Sequence, residues 1–253
     1  MTDTDNNIFQ LAADLKAARK DFALATVVAV EGSTSGKVGD RAIYDLRGNR
    51  ISGWIGAGCV EDRIGKMAKE TLRNGTPRMV TITLDSDTLA SGIPCGGAMS
   101  ILVEPQLKKP VMVVRGIGKL VETLVKLGQL LGFEVVTGRE VLSEENREPE
   151  YLILATHHRD DHKVAHEALK RGIPFVAMVA SRKRTGLVRD YLMKEGVTVE
   201  ELSRFHSPAG LNLRGKSPEE MALSILAEIV MHRYGGTGKP LTEVAGDSDT
   251  GQK

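Results

Sequence analysis

The chain has 253 residues, 41% of them hydrophobic and 26% charged, which suits a soluble globular protein with enough apolar material for two cores. A formal net charge of +1 leaves no basic footprint for nucleic acid, and no like-charge block marks a membrane-surface or acidic partner. No apolar run reaches the roughly 18 residues of a membrane span. Residues 1–22 lack the basic segment and apolar run of a secretion signal, so a cytoplasmic protein is expected. There, the 2 cysteines, Cys59 and Cys95, are poor material for a structural disulfide. They are either small buried apolar groups or reactive thiols.

In chain order, Ile8, Leu11, Leu15, Ala18 and Phe22 recur at helical spacing and predict a helix over 8–22, capped by Asn6 or Asn7. Residues 24–30 read as a strand and 31–40 as a glycine- and serine-rich loop. Two strands, 42–46 and 50–55, flank Arg47-Gly48-Asn49, a hairpin signal. Beyond Gly56-Ala57-Gly58-Cys59, the residues Val60, Ile64, Met67, Ala68 and Leu72 share one helical face, and Asn74-Gly75 stops that helix. Strands are expected at 79–84 and 98–104. Residues 1–106 thus form a mixed α+β domain with unusually many glycines in its loops.

Residues 105–110 read as a linker, after which strands at 111–116, 133–137, 151–158 and 174–180 alternate with helices. That order predicts a parallel sheet with right-handed crossovers, a Rossmann-like domain over 107–235. Its last helix opens at Ser217-Pro218-Glu219-Glu220, which combines an N-cap, a proline at the first helical position and a capping-box glutamate. Residues 236–253 are polar and glycine-rich and are expected to be a disordered tail. The fold class is α/β.

Cys59 closes the run Gly56-Ala57-Gly58 directly before a helix, where unpaired N–H groups and the positive dipole end favour a thiolate. Glu61, in the first turn, can accept a proton or a ligand's donor. Cys95 sits in Gly92-Ile93-Pro94-Cys95-Gly96-Gly97, with the same ingredients. Glycines beside each thiol, before Cys59 and after Cys95, favour reactive groups in an anion-binding setting over inert burial. The spacing offers no CxxC or Cys/His pair for zinc. We expect the two loops to converge on one cleft facing the carboxyl edge of the parallel sheet.

In the second domain Gly116-Ile117-Gly118 follows a strand and opens a helix, as in a dinucleotide fingerprint, but Val121 stands at the third glycine and no acid follows at the usual distance. His157 and His158 end a strand at the carboxyl edge. His158, His162 and His166 fall on one helix face, where a solvated polar surface competes with a metal site. Ser181-Arg182-Lys183-Arg184 opens another helix at the same edge and suits either a phosphate or a plain charged surface.

Together GAGCVE, GIPCGG, the preceding EGST, and the later ATHHRDD, VASRKR and FHSPAGLNLRGKSPEEMALSILAEIV resemble the XdhC/CoxI family over about residues 23–233. Members are accessory proteins of molybdenum hydroxylases such as xanthine dehydrogenase. The resemblance implies a chaperone that binds molybdenum cofactor (molybdopterin or its nucleotide form), protects it during sulfuration by a cysteine desulfurase, and inserts it into the apo molybdenum hydroxylase. It also implies that the chain is a non-catalytic homodimer. On this sequence the family's cofactor-linked cysteines fall on Cys59 and Cys95, which are then the metal ligands, soft thiolates for a soft metal. Gly58, Glu61, Gly96 and Gly97 surround them, and Lys37 and Arg41 can add charge for the cofactor phosphate. Gly116, Gly118, Ser181 and Arg182 complete the cofactor-binding set in the second domain. Two departures stand out. The family's first loop carries an arginine and a proline where this chain reads Ser35-Gly36-Lys37-Val38-Gly39, and Thr137-Gly138-Arg139 replaces its aspartates. Arg139 suits a 2′-phosphate. The alternative is therefore an NAD(P)-dependent oxidoreductase with Cys59 and Cys95 as a redox pair, and a third reading is an interaction scaffold.

Overall fold

A computed structural model describes residues 3–56, 58–83, 97–138, 149–156 and 160–244, apart from the side chains of residues 3–7 and of Cys59. The chain divides into two compact units, Met1–Lys108 and Lys109–Lys253. No helix among the described residues is long and apolar enough to cross a membrane.

The first unit starts with α1 (Asp3–Ala17) and continues through β1 (Phe22–Glu31), β2 (Arg41–Tyr44), β3 (Arg50–Gly53), α2 (Cys59–Asn74), β4 (Arg78–Thr83) and β5 (Ala98–Gln106). The strands form one antiparallel sheet in the order β3-β2-β1-β5-β4. Alternation along each strand sorts its side chains between two faces. Ala23, Ala25, Ala42, Tyr44, Ile101 and Val103 meet Val60, Ile64, Ala68 and Leu72 of α2 in the main core. Ile43 and Phe22 turn the other way, onto Ile8 of α1.

The first helix ends earlier than its spacing suggests. Arg19 adopts φ 56°, and Lys20 N–H closes back onto the Leu15 carbonyl, which frees Phe22 to begin β1 fully buried. An apolar residue at helical spacing was here the first residue of a strand. At the other end, β5 runs two residues into the expected linker. Pro105 is tolerated because β4 reaches β5 only as far as Val103, which leaves the Pro105 nitrogen on an open side of the strand.

The second unit contains β6 (Val111–Gly116), α3 (Lys119–Leu130), β7 (Glu134–Thr137), β8 (Tyr151–Ala155), α4 (Asp161–Lys170), β9 (Phe175–Met178), α5 (Arg182–Lys194), α6 (Val199–Leu202), β10 (Phe205–His206) and α7 (Pro218–Tyr234). Its sheet is wholly parallel, in the order β10-β9-β8-β6-β7. Strands covered on both faces become continuous apolar runs, and β9 is buried at every position. Leu169, Val188 and Leu192 of α4 and α5 cover one face, and Leu124, Ile225, Leu226 and Ile229 of α3 and α7 the other. From β6 the chain proceeds to β7 on one side and then to β8, β9 and β10 on the other. The order therefore reverses between β6 and β8, the kind of position where open α/β sheets bind ligands, beyond the carboxyl ends of the strands. The mixed first unit and the Rossmann-like second unit are the fold class read from the sequence. Residues 236–244 of the expected tail are described and include a 3-10 turn at Leu241–Glu243.

Candidate functional site

Three stretches of the first unit meet at the end of β1. The loop after Glu31 turns at Gly32 (φ 67°) and is held by the Thr34 hydroxyl, which donates to the Gly36 carbonyl at 2.7 Å. Gly97, just past the Cys95 loop, lies beneath it: a methyl on Gly97 would sit 2.5 Å from the Glu31 carbonyl oxygen and 2.6 Å from that of Ser33. Gly36 approaches the segment leading to Cys59 as closely, for a methyl there would sit 2.7 Å from the Ile55 carbonyl oxygen. Gly56 faces Val60 and the Ser35 hydroxyl. The backbone before Cys59 and the backbone after Cys95 thus touch one shared loop, and side chains larger than hydrogen at Gly36 and Gly97 would force them apart.

Cys59 is the first residue of α2. Gly58 caps that helix with φ 58° and no side-chain hydrogen bond, so its first amides have no side-chain partner there. Glu61 and Asp62 occupy the first turn. Arg50 of the hairpin neutralises one of them, with Nε 2.9 Å from Glu61 Oε1. A groove of about 570 Å³ runs between the hairpin and α2, lined by Arg47, Arg50, Glu61, Asp62, Lys66 and Lys69 among others. Below it the Tyr44 hydroxyl is buried with no hydrogen-bond partner among the described residues. Burial, reinforced by the Glu61 carboxylate and opposed by Arg50, pushes that phenol up to about 12.

Lys37 is exposed in the turn closed by its own N–H donating to Asp40 Oδ2 at 2.8 Å. Arg41 lies in β2 with its guanidinium 5.1 Å from the centre of the Phe9 ring. Cys95, Gly96, Arg139, His157 and His158 lie outside the described residues, and so does the expected convergence of the two thiols. Among the described residues no three or more His, Cys, Asp or Glu side chains are gathered for a metal ion. His162 packs edge-on against Tyr191 of α5, ring centres 4.5 Å apart, and His166 Nε2 lies 3.3 Å from the Glu195 carbonyl.

In the second unit, Gly116 and Gly118 bracket the turn at the β6–β8 switch point. Gly116 has φ 151°, and any side chain there would overlap the Ala155 carbonyl. Its bareness also explains how Val121 replaces the third fingerprint glycine. The Val121 methyl fills the space next to Gly116 and stays buried, so strand and helix remain in contact. Gly118 caps α3 at φ 93° with no side-chain hydrogen bond.

Ser181 caps α5, its hydroxyl accepting from Arg184 N–H at 3.3 Å. The Arg184 guanidinium donates to Asp161 at 2.9 Å; that carboxylate is fully buried and also accepts from the Thr156 hydroxyl. Arg184 is therefore structural, and Arg182 is the exposed cation of the motif that lines a cleft.

Sequence reasoning missed β10, because two residues leave no period to read. It also missed the role of His206 at the end of that strand. Its ring stacks on Phe175, centres 3.9 Å apart, and its Nδ1–H donates to Glu228 of α7 at 3.0 Å. The other Glu228 oxygen accepts from Gly210 N–H at 2.6 Å. The pair anchors the segment after β10, which walls a cleft of about 420 Å³ together with Val179, Ala180, Arg182 and α7. A histidine followed some twenty residues later by a glutamate on an apolar helix was the available signal, and it is a weak one.

A glycine-loop α+β unit followed by a Rossmann-like unit defines a two-unit α/β class of protein. Residues 15–83 match the family model for the XdhC and CoxI family, and residues 112–229 match the model for the XdhC Rossmann domain. The chain belongs to the XdhC and CoxI family. It is 27% identical over 257 residues to the uncharacterized protein YqeB of Escherichia coli (strain K12), covering 92% of this chain and 47% of that protein. The chain thus spans about half the length of this curated relative. A crystal structure described as a xanthine dehydrogenase from Bacillus halodurans is similar at a TM-score of 0.43 and 18% identity, covering 93% of this chain and 97% of that one.

Proposed function

We propose that the chain serves the maturation of a xanthine dehydrogenase-type molybdenum hydroxylase by binding molybdenum cofactor as cargo, protecting it during sulfuration and delivering it to the apo-enzyme. The observation that carries this reading is the shared loop at the end of β1, against which the backbone before Cys59 and the backbone after Cys95 both pack. The cargo is the one that resemblance to the family implies. The residues suit such a guest. Glycines leave amides open to oxo and phosphate groups, α2 begins without a side-chain cap, and thiolates are soft donors. Cys59 and Cys95 hold the metal; Gly58, Gly96 and Gly97 provide amides; Lys37 and Arg41 supply charge for the phosphate. Glu61 contributes through its pairing with Arg50. A cysteine desulfurase and the apo-hydroxylase are the partners, and the working form is a homodimer.

Anaerobic incubation with molybdenum cofactor, followed by measurement of bound molybdenum and pterin, tests this for wild type, Cys59→Ala and Cys95→Ala. Wild type retains both, and each variant loses most of the molybdenum. Equal, negligible binding in all three proteins overturns the reading.

A second reading, NAD(P) binding, rests on the bare Gly116-Ile117-Gly118 turn at the switch point and the uncapped start of α3. Quenching or enhancement of NADPH fluorescence on mixing supports it, and turnover of NADPH with a small substrate makes the chain an oxidoreductase.

A further inference from the structure

We propose that the cleft beyond β9 and β10 is a second, separate ligand site that takes a phosphate monoester of mononucleotide size. The site lies within the second unit, at the carboxyl ends of two neighbouring parallel strands, where open α/β sheets bind ligands. Its volume of about 420 Å³ is that of a small-molecule pocket.

The lining has two chemistries. Val179, Leu211, Met221 and Ile225 offer an apolar wall for a ring. Arg182 and Arg214 line the same cleft as exposed cations, and neither has a hydrogen-bond or ion-pair partner among the described residues. Two guanidinium forks beside the start of α5, a helix of 13 residues, favour phosphate over a single-charge carboxylate. Two polar side chains of the lining already bond within the wall, and the two arginines outnumber the one lining carboxylate, Glu220. Glu220 accepts from the N–H groups of Lys216 and Ser217 at 2.7 and 2.9 Å. The Ser224 hydroxyl donates to the Leu211 carbonyl.

The wall is built for its position. Arg214 holds φ 56°, a conformation that costs a branched or long side chain about 1 kcal/mol or more and that glycine adopts freely. An arginine in that conformation, in a segment anchored through Gly210 to Glu228, is not explained by backbone packing alone. Neither cysteine takes part; Arg182, read from the sequence into the cofactor-binding set, lines this cleft.

Calorimetric titration of the full chain with AMP, adenosine and inorganic phosphate at fixed ionic strength tests this. AMP binds, and adenosine binds at least tenfold more weakly. Arg182→Ala and Arg214→Gly each weaken AMP at least tenfold with unchanged circular dichroism. The glycine variant suits φ 56° and so cannot fail through backbone strain. Met221→Glu, which puts a like charge in the apolar wall, abolishes binding. No AMP binding by wild type, adenosine bound as tightly as AMP, or affinity indifferent to both arginines overturns the proposal; the last outcome assigns the nucleotide to the Gly116–Gly118 turn.

Discussion

Arg50 Nε lies 2.9 Å from Glu61 Oε1, so the β2–β3 hairpin is charge-linked to the first turn of the helix that Cys59 opens. One Glu61 oxygen is thus already committed to Arg50. The carboxylate's charge is balanced from β3, the strand that leads into the glycine run before Cys59. Both side chains keep about a third of their exposure, so solvent screens the pair. A double-mutant cycle with Arg50→Met and Glu61→Gln, followed by urea unfolding, will give a coupling of about 0.2–1 kcal/mol. A coupling above that range would mean that the pair is shielded from water and does more than align the hairpin.

The stronger tie between hairpin and helix is steric. Gly48 and Gly65 meet backbone to backbone: a methyl on Gly65 would sit 2.5 Å from the Gly48 carbonyl oxygen, and one on Gly48 would overlap the Gly65 carbonyl. Alanine normally stabilises a helix interior relative to glycine by up to about 1 kcal/mol. Here Gly65→Ala will instead destabilise by about 1–3 kcal/mol through overpacking. Thermal unfolding decides the sign, and a raised midpoint would show that the hairpin yields easily.

What could be read from the sequence follows from period and punctuation. The capping signal at Ser217-Pro218-Glu219-Glu220 fixed the start of α7, and the structure contains both arms of the box with Pro218 at the first turn. The strand at 111–116 and the hairpin around Arg47-Gly48-Asn49 were legible for the same reason. Phe22 was misassigned because helical spacing carries no information about a turn at Arg19. The pairing of Arg50 with Glu61, the Gly48–Gly65 approach and the His206–Glu228 bond join residues from different elements, and no local pattern encodes them. The cysteine loops were legible as glycine-rich thiol settings. The packing of Gly97 and of the Ile55–Gly56 segment on the loop at residues 31–36 emerged only from tertiary contact.

Tyr44 predicts alkaline behaviour. Burial first, then Glu61, raise its phenol to about 12 against the ordinary 10, with Arg50 opposing. The unfolded chain therefore loses this proton at lower pH than the folded chain does. Between pH 10 and 12 the unfolded state binds fewer protons, and stability falls as pH rises. Tyr44→Phe removes a hydroxyl that has no partner among the described residues, so at neutral pH it will be neutral or slightly stabilising. It will also flatten the decline from pH 10 to 12 measured by urea unfolding. An unchanged slope in the variant would assign the alkaline transition to other groups.

The bond between His206 and Glu228 predicts the opposite slope. Burial pushes the Glu228 carboxyl up, but the bonds from the His206 ring and the Gly210 N–H outweigh it and hold the group below its usual value of 4.5. Below that value the unfolded chain takes up the proton first. The stabilisation is thus complete at neutral pH and drains away as pH falls through the folded-state value. Glu228→Gln keeps the shape but loses the charge that strengthens both bonds, and at pH 7 it will cost about 1–3 kcal/mol. The gap between wild type and variant should close progressively as urea unfolding is repeated at acid pH. The same substitution loosens the Gly210 anchor, so AMP affinity should fall in the variant although Glu228 does not line the cleft. A stability gap that stays constant on acidification would mean that the neutral carboxyl holds the segment as well as the charged one, and the charge at Glu228 would then have no part in shaping the cleft.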